Sequence, residues 1–155
     1  MNILDITEGK KSLLILVGPP ASGKSTWGKI YTQNHNVEYI STDAIRAEIG
    51  TGENDQIVSE AAFIIARQRI SAALSIGKSA MIDATNVTKK TRKNWIELGR
   101  GLGAFIIAVV FEVPRLELLK RDSLRERHVG IDIIDRFVNK YERPLHEEVD
   151  KIILK

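Results

Sequence analysis

Cysteine is absent from the chain, so disulfides and thiol chemistry are excluded and a reducing cytoplasm is the natural compartment. Aromatic residues make up only 6%, too few for a stacking platform that would grip single-stranded bases; Trp27, Tyr31 and Trp95 are read as packing residues. No Pro- or Gly-rich linker, low-complexity tract or internal period divides the 155 residues. The opening Met1-Asn2-Ile3-Leu4-Asp5-Ile6 lacks the basic-then-apolar order of a signal peptide, and no apolar run approaches the roughly 20 residues of a membrane span. One cytoplasmic domain over residues 1–155, without a membrane partner, is the expectation. What is present is 43% apolar residues, enough for a substantial core, and a net charge of +3. That charge suits an anionic partner but is weak support for nucleic acid.

The most informative segment is Gly18-Pro19-Pro20-Ala21-Ser22-Gly23-Lys24-Ser25, which fits G-x-x-x-x-G-K-[ST]. It follows the apolar run Leu13-Leu14-Ile15-Leu16-Val17 and opens a helical pattern through Thr26 to about residue 34, the strand–loop–helix setting of a phosphate-binding loop. Glycines let the backbone curl so that several N–H groups face phosphate oxygens, and the helix N-terminus adds positive potential. Lys24 can reach the β- and γ-phosphates, and the Ser25 hydroxyl can ligate Mg²⁺. The segment implies a nucleoside triphosphate site, with ATP and Mg²⁺ as cofactors.

Four β-branched apolar runs, at 13–17, 37–40, 79–82 and 105–111, read as strands buried on both faces. Helical patterns lie between and after them, near 24–34, 43–49, 56–76, 88–102 and 114–121, with another near 132–141 and a final helical segment beyond Pro144. This alternation predicts a three-layer α/β/α fold with a four-stranded parallel sheet. Ligands of such sheets bind beyond the carboxyl ends of the strands, so chemistry is sought there.

After the second strand stands Ser41-Thr42-Asp43-Ala44-Ile45-Arg46. Asp43 can accept the proton of an attacking hydroxyl, or can be an ordinary helix cap. Arg46, one turn on, can hold an acceptor phosphate or pair with Glu48 or solvent. After the third strand stands Asp83-Ala84-Thr85-Asn86, where Asp83 is placed to hold the Mg²⁺ water shell or to shape a turn. After the fourth strand, Arg121, Arg125 and Arg127 lie in a charged run that reads as a lid over about 121–130, closing on the transferred phosphoryl group, or as solvated surface. His128 is unassigned. The basic cluster from Lys89 to Lys93 reads as solvated surface or a phosphate contact.

Together, Gly18 to Trp27, Ser41 to Arg46, Asp83 to Asn86, Phe111-Glu112-Val113-Pro114 and Arg121 to Arg125 resemble the kinase domain of the polynucleotide 5′-hydroxyl kinases, nucleic-acid end-healing enzymes of phages and bacteria. The resemblance runs from about residue 13 to 143, and Glu53-Asn54-Asp55-Gln56 resembles a segment of the bacterial RNA-repair members. It implies a P-loop kinase fold with a helical, arginine-bearing lid, and transfer of the ATP γ-phosphate to a 5′-OH end of RNA or DNA. Asp43 falls on the general base and Arg46 on the residue that engages the acceptor's 3′-phosphate. Lys24 and Ser25 fall on the donor-site pair, Arg121 and Arg125 on the lid arginines, and Thr85 and Asn86 on the acceptor side. Asp83 departs from the pattern of members that place the acid directly before Thr-Asn. No attached phosphatase or ligase domain is expected, so separate proteins would supply those steps. The rival readings are a P-loop kinase of a small hydroxyl acceptor, such as a sugar acid, antibiotic or nucleotide sugar, and a nucleotide-binding switch. Against the switch, no Asn-Lys-x-Asp element is present to read guanine.

Overall fold

The computed structural model describes residues 4–50 and 56–155. The chain runs β1 (Ser12–Val17), α1 (Lys24–Asn34), β2 (Val37–Ser41), α2 (Thr42–Ile49), α3 (Gln56–Ser75), β3 (Ser79–Asp83), α4 (Lys89–Gly101), β4 (Phe105–Val110), α5 (Arg115–Ser123), α6 (Ile131–Lys140) and β5 (Lys151–Leu154). The strands form one sheet in the order β2-β3-β1-β4-β5, every neighbouring pair parallel. Glu53-Asn54-Asp55, most of the segment likened to RNA-repair members, lies outside the described residues.

Strand side chains alternate between two faces, and each face has its own core. Leu13, Ile15 and Val17 of the central strand pack with Ile40, Ile82 and Ile106 against Ile70 and Leu74 of α3 and Trp95 of α4. Leu14 and Leu16 pack with Met81, Ile107 and Val109 against Tyr31 of α1. All six residues of β1 are buried, as expected for a strand covered on both sides. On α3, Ala62, Ala66 and Ala73 are buried at helical spacing, and their small size lets the helix lie close to the sheet. The α/β/α layering is therefore as the sequence predicts.

The chain's last element corrects the expectation. The residues after Pro144 form a turn at 146–148 and then β5, so the sheet has five strands rather than four and the final segment is not helical. Lys-Ile-Ile-Leu is too short to show a period, and its β-branched pair suits an edge strand. Asp150 sets the register from both sides: its carboxylate accepts from Ile106 N at 2.8 Å, and its own N–H donates to Ile106 O at 2.9 Å. Among the described residues, no helix is long and apolar enough to cross a membrane.

Register brings the carboxyl ends of three strands level. Leu16 of β1 pairs with Asp83 of β3, and Asp83 pairs with Ser41 of β2. Helix α1 presses on this region through Gly28, where an added Cβ would stand 3.0 Å from Met81 Sδ, 3.1 Å from Leu16 Cδ1 and 3.2 Å from Tyr39 Cε1. A methyl at this position would force those side chains to give way by a few tenths of an ångström. Gly28→Ala is expected to destabilise the fold by about 1–3 kcal/mol through overpacking, read as a lower midpoint in denaturant at unchanged slope. An unshifted midpoint would mean that α1 is free to move away from the sheet.

Candidate active site

The loop from Gly18 to Gly23 leaves β1 and enters α1 in a strained conformation. Ala21 has φ +68° and Gly23 φ +92°, both in the left-handed region. Gly23 is the N-cap of α1 and offers no side-chain acceptor, so no side chain competes for the first amides of the helix. Gly18 N donates to Thr85 O at 2.9 Å, stitching the start of the loop to the segment after β3.

Lys24 lies inside this loop, 8% exposed, with its Nζ donating to Pro19 O at 3.0 Å. Burial pushes its pKa down from 10.5 to about 8, against the pull of Asp83 and Asp43 and with a further push from Arg125. The sign matters for the nucleotide-free fold. A lysine whose folded pKa lies below its unfolded value opposes folding while charged, and that opposition is relieved as pH rises from about 8 toward 10.5. The same influences put Asp83, Asp43 and Arg125 within electrostatic reach of one ammonium.

Ser25, next along α1, donates its hydroxyl to Asp83 Oδ2 at 2.7 Å. Asp83 is buried at 4% exposure, and the Tyr39 hydroxyl donates to the same oxygen. Burial, with the neighbouring Asp83 carboxylate, raises the Tyr39 phenol well above its usual range. Hydroxyl and carboxylate together offer hard oxygens at the mouth of the loop, a donor set that fits Mg²⁺. Among the described residues there is no cluster of three or more His, Asp or Glu to cage a cation.

Asp43 sits in the first turn of α2 with its side chain 82% exposed, ion-paired to Arg46 at 2.7 Å. It is not the cap: Ser41 Oγ accepts from Ala44 N at 3.2 Å and fills that role. Asp43 is thereby left available for another function. Arg46 does not turn to Glu48, which pairs with Arg69 at 2.7 Å. It is steadied instead by Ser59 Oγ on α3, at 3.3 Å from its Nε.

The charged run after β4 reaches the loop. Arg121 donates to Ser22 O at 3.4 Å and pairs with Glu117 at 3.1 Å. Arg125 pairs with Asp122 at 3.6 Å. Asp122, 4% exposed, accepts from Val129 N at 3.0 Å and Gly130 N at 2.9 Å, so one carboxylate closes residues 122–130 into a ring. Burial alone would raise the Asp122 carboxyl, yet those two amides, Arg125 and His128 hold it below the usual range.

Two expected residues have different surroundings. Asn86, 1% exposed with φ +49°, donates from Nδ2 to Leu16 O at 2.8 Å and accepts from Trp95 Nε1 at 2.9 Å at Oδ1. Its amide is spent inside the protein, so it latches β1 to α4 rather than facing an acceptor. Arg92, counted in the basic cluster, is fully buried, bonded to Asn86 O at 2.9 Å and paired with Glu148 at 3.2 Å. It supports the latch from behind. Tyr39 was not foreseen. Its signal is strand parity, since Tyr39 and Ser41 share a face and Ser41 is level with Asp83.

Comparison with known proteins agrees with this geometry. A chain in the structure of the Pnkp1/Rnl/Hen1 RNA repair complex is 26% identical, with a TM-score of 0.76 over 84% of this chain and 44% of that one. A putative kinase from Chloroflexus aurantiacus shares the fold at TM-score 0.76 and 16% identity, covering 94% of this chain and 85% of that one. L-seryl-tRNA(Sec) kinase of Methanococcus maripaludis is 22% identical over 139 residues, 85% of this chain and 53% of the relative. The chain thus spans about half the length of that curated relative, and less than half of the repair-complex chain. A family model described as an AAA domain matches residues 13–144. That match runs from β1 through the loop, the strand ends and the charged run, and the chain belongs to this AAA domain family, with the fold of P-loop kinases.

Proposed function

We propose that this chain transfers the γ-phosphoryl group of ATP to the 5′-OH end of RNA or DNA. The observation that carries the reading is Asp43: a carboxylate 82% exposed, not needed as a cap, paired with Arg46, and close enough to Lys24 to influence its charge. A base so open to solvent suits the end of a long polymer better than a small molecule that must be enclosed. The likeness to a chain of an RNA repair complex, at 26% identity, supports a nucleic-acid acceptor. Two cavities, one between α3 and α4 and one at the amino ends of the strands, lie apart from these residues.

In this reading the loop amides from Gly18 through Thr26 (Pro19 and Pro20 bring no amide N–H and shape the turn) cradle the phosphates, and Lys24 leaves Pro19 O to meet them. Ser25 and Asp83 would hold Mg²⁺, which when bound would supply positive charge to neutralise the charge developing on the phosphates. Asp43 takes the proton of the acceptor hydroxyl while Arg46 keeps the carboxylate in place and offers its remaining N–H groups to an acceptor phosphate. Thr85, half-buried beside the loop, lines the acceptor side. Arg121 and Arg125 face the transferred group, whose charge spreads over three equatorial oxygens. Residues 121–130 act as the lid over the transferred group.

The decisive experiment is transfer of label from γ-labelled ATP with Mg²⁺ to a 5′-OH oligonucleotide, beside the same oligonucleotide carrying a 5′-phosphate. Label on the 5′-OH strand alone is the expected result. Label on neither, with ATP still bound, overturns the polynucleotide acceptor in favour of a small hydroxyl compound.

Asp43→Ala is expected to slow transfer by about 10²- to 10⁴-fold while nucleotide affinity is kept. Because Ser41 holds the cap, the same substitution should change unfolding stability by no more than about 1 kcal/mol. A larger loss of stability with activity kept would return Asp43 to a structural role.

Phosphates entering beside Lys24 restore its charge, so nucleotide binding above pH 8 must take up a proton. Affinity is therefore expected to fall as pH rises through about 8, by up to tenfold per pH unit. Calorimetry in buffers of different ionisation heat should show uptake at pH 9 and almost none at pH 7. Equal affinity at both pH values would place the charge elsewhere.

A further inference from the structure

Tyr39 has no part in the transfer as described, yet its hydroxyl donates to Asp83 Oδ2, the oxygen that also accepts from Ser25 at 2.7 Å. Register explains the reach. Tyr39 is level with Met81 and Ser41 with Asp83. Alternate residues of a strand share a face, so Tyr39 stands one step below Asp83 on the α1 side of the sheet. The ring is pinned there. Gly28 of α1 closes over Cε1, and Tyr39 packs against the cluster that contains Val37 and Met81. Phenylalanine would serve a packing role as well. A sheltered phenolic hydroxyl needs a partner, and here it donates to the Asp83 carboxylate, with the Ser25 and Ser41 hydroxyls also hydrogen-bonded beside it.

We propose that Tyr39 is a positioning residue for the cation corner. By donating to Oδ2 it fixes the Asp83 carboxylate, which leaves the other carboxylate oxygen turned to the water shell of Mg²⁺. Asp83 in turn receives the Ser25 proton, so that the lone pairs of Ser25 face the cation. Groups that orient a metal ligand in this way commonly change metal affinity or activity by 10- to 100-fold when removed. The inference rests on the phosphotransfer reading above and adds to it a residue outside the phosphate-binding motif.

The test is Tyr39→Phe, which deletes one oxygen and keeps the ring. ADP binding is measured by calorimetry in EDTA and across a Mg²⁺ titration, and free Mn²⁺ is followed by electron paramagnetic resonance in the ADP complex. The expected result is unchanged ADP affinity in EDTA, a Mg²⁺ midpoint raised about 10- to 100-fold, and more free Mn²⁺ at equal concentrations. In an Asp83→Asn background, Tyr39→Phe should add less than about a twofold change, because the two side chains act as one unit. A Mg²⁺ midpoint equal to the parent's, or the same shift in both backgrounds, overturns the role of Tyr39 alone. A parent protein whose nucleotide binding ignores Mg²⁺ overturns the phosphotransfer reading and this role together.

Discussion

Parallel register is the constraint on which the site depends. Because Leu16, Asp83 and Ser41 are level across β1, β3 and β2, two loops and the start of α2 leave one edge of the sheet together. The edge is then locked by short links: Gly18 N to Thr85 O joins the loop after β1 to the one after β3, and Asn86 joins Leu16 O to the Trp95 indole. Arg92, fully buried, closes the back of this arrangement against Glu148 near β5. A slip of one residue in any of these strands would carry Asp83 or Ser41 to the opposite face.

That edge concentrates charge in a small space. Lys24 is held in a loop too tight for water to solvate it fully, while the charges of Asp83, Asp43 and Arg125 act on it. Nothing in the hydrophobic core requires a buried ammonium at this point. Its burial is tolerated because the surrounding carboxylates and Pro19 O partly replace water. The positive φ of Ala21 belongs to the same picture, since a strained backbone persists where the surroundings over-determine it.

The parts of this architecture that were legible from residues alone are those with a period or a spacing. The phosphate-binding loop, four strands and the alternation of layers all follow from local pattern. β5 did not, because four residues cannot display a period and its pairing is set by Asp150 across the sheet. At the site, a cluster of Ser41, Thr42 and Asp43 announced a helix start but not which oxygen would cap it; geometry gives that task to Ser41. Asn86 looked like a ligand because polar residues at strand ends often are, and only the position of Trp95 shows its amide to be occupied. Arg92 and its neighbours Lys89, Lys90 and Lys93 carry like charges, yet one of them is fully buried and the three lysines are not. Tyr39 was hidden for the same reason, since its partner is 44 residues away.

The ring that Asp122 closes through Val129 and Gly130 bears on the thermodynamics of closure. A loose loop carrying an arginine would lose its conformational freedom each time a nucleotide arrived, and binding would be weaker by that ordering. Here nine residues are already tied to the end of α5, and Arg115 pairs with Asp135 at 2.6 Å to join α5 to α6. In the proposed transfer the arginines are carried on a segment already tied together, so the entropy of ordering it is lost during folding rather than on nucleotide binding.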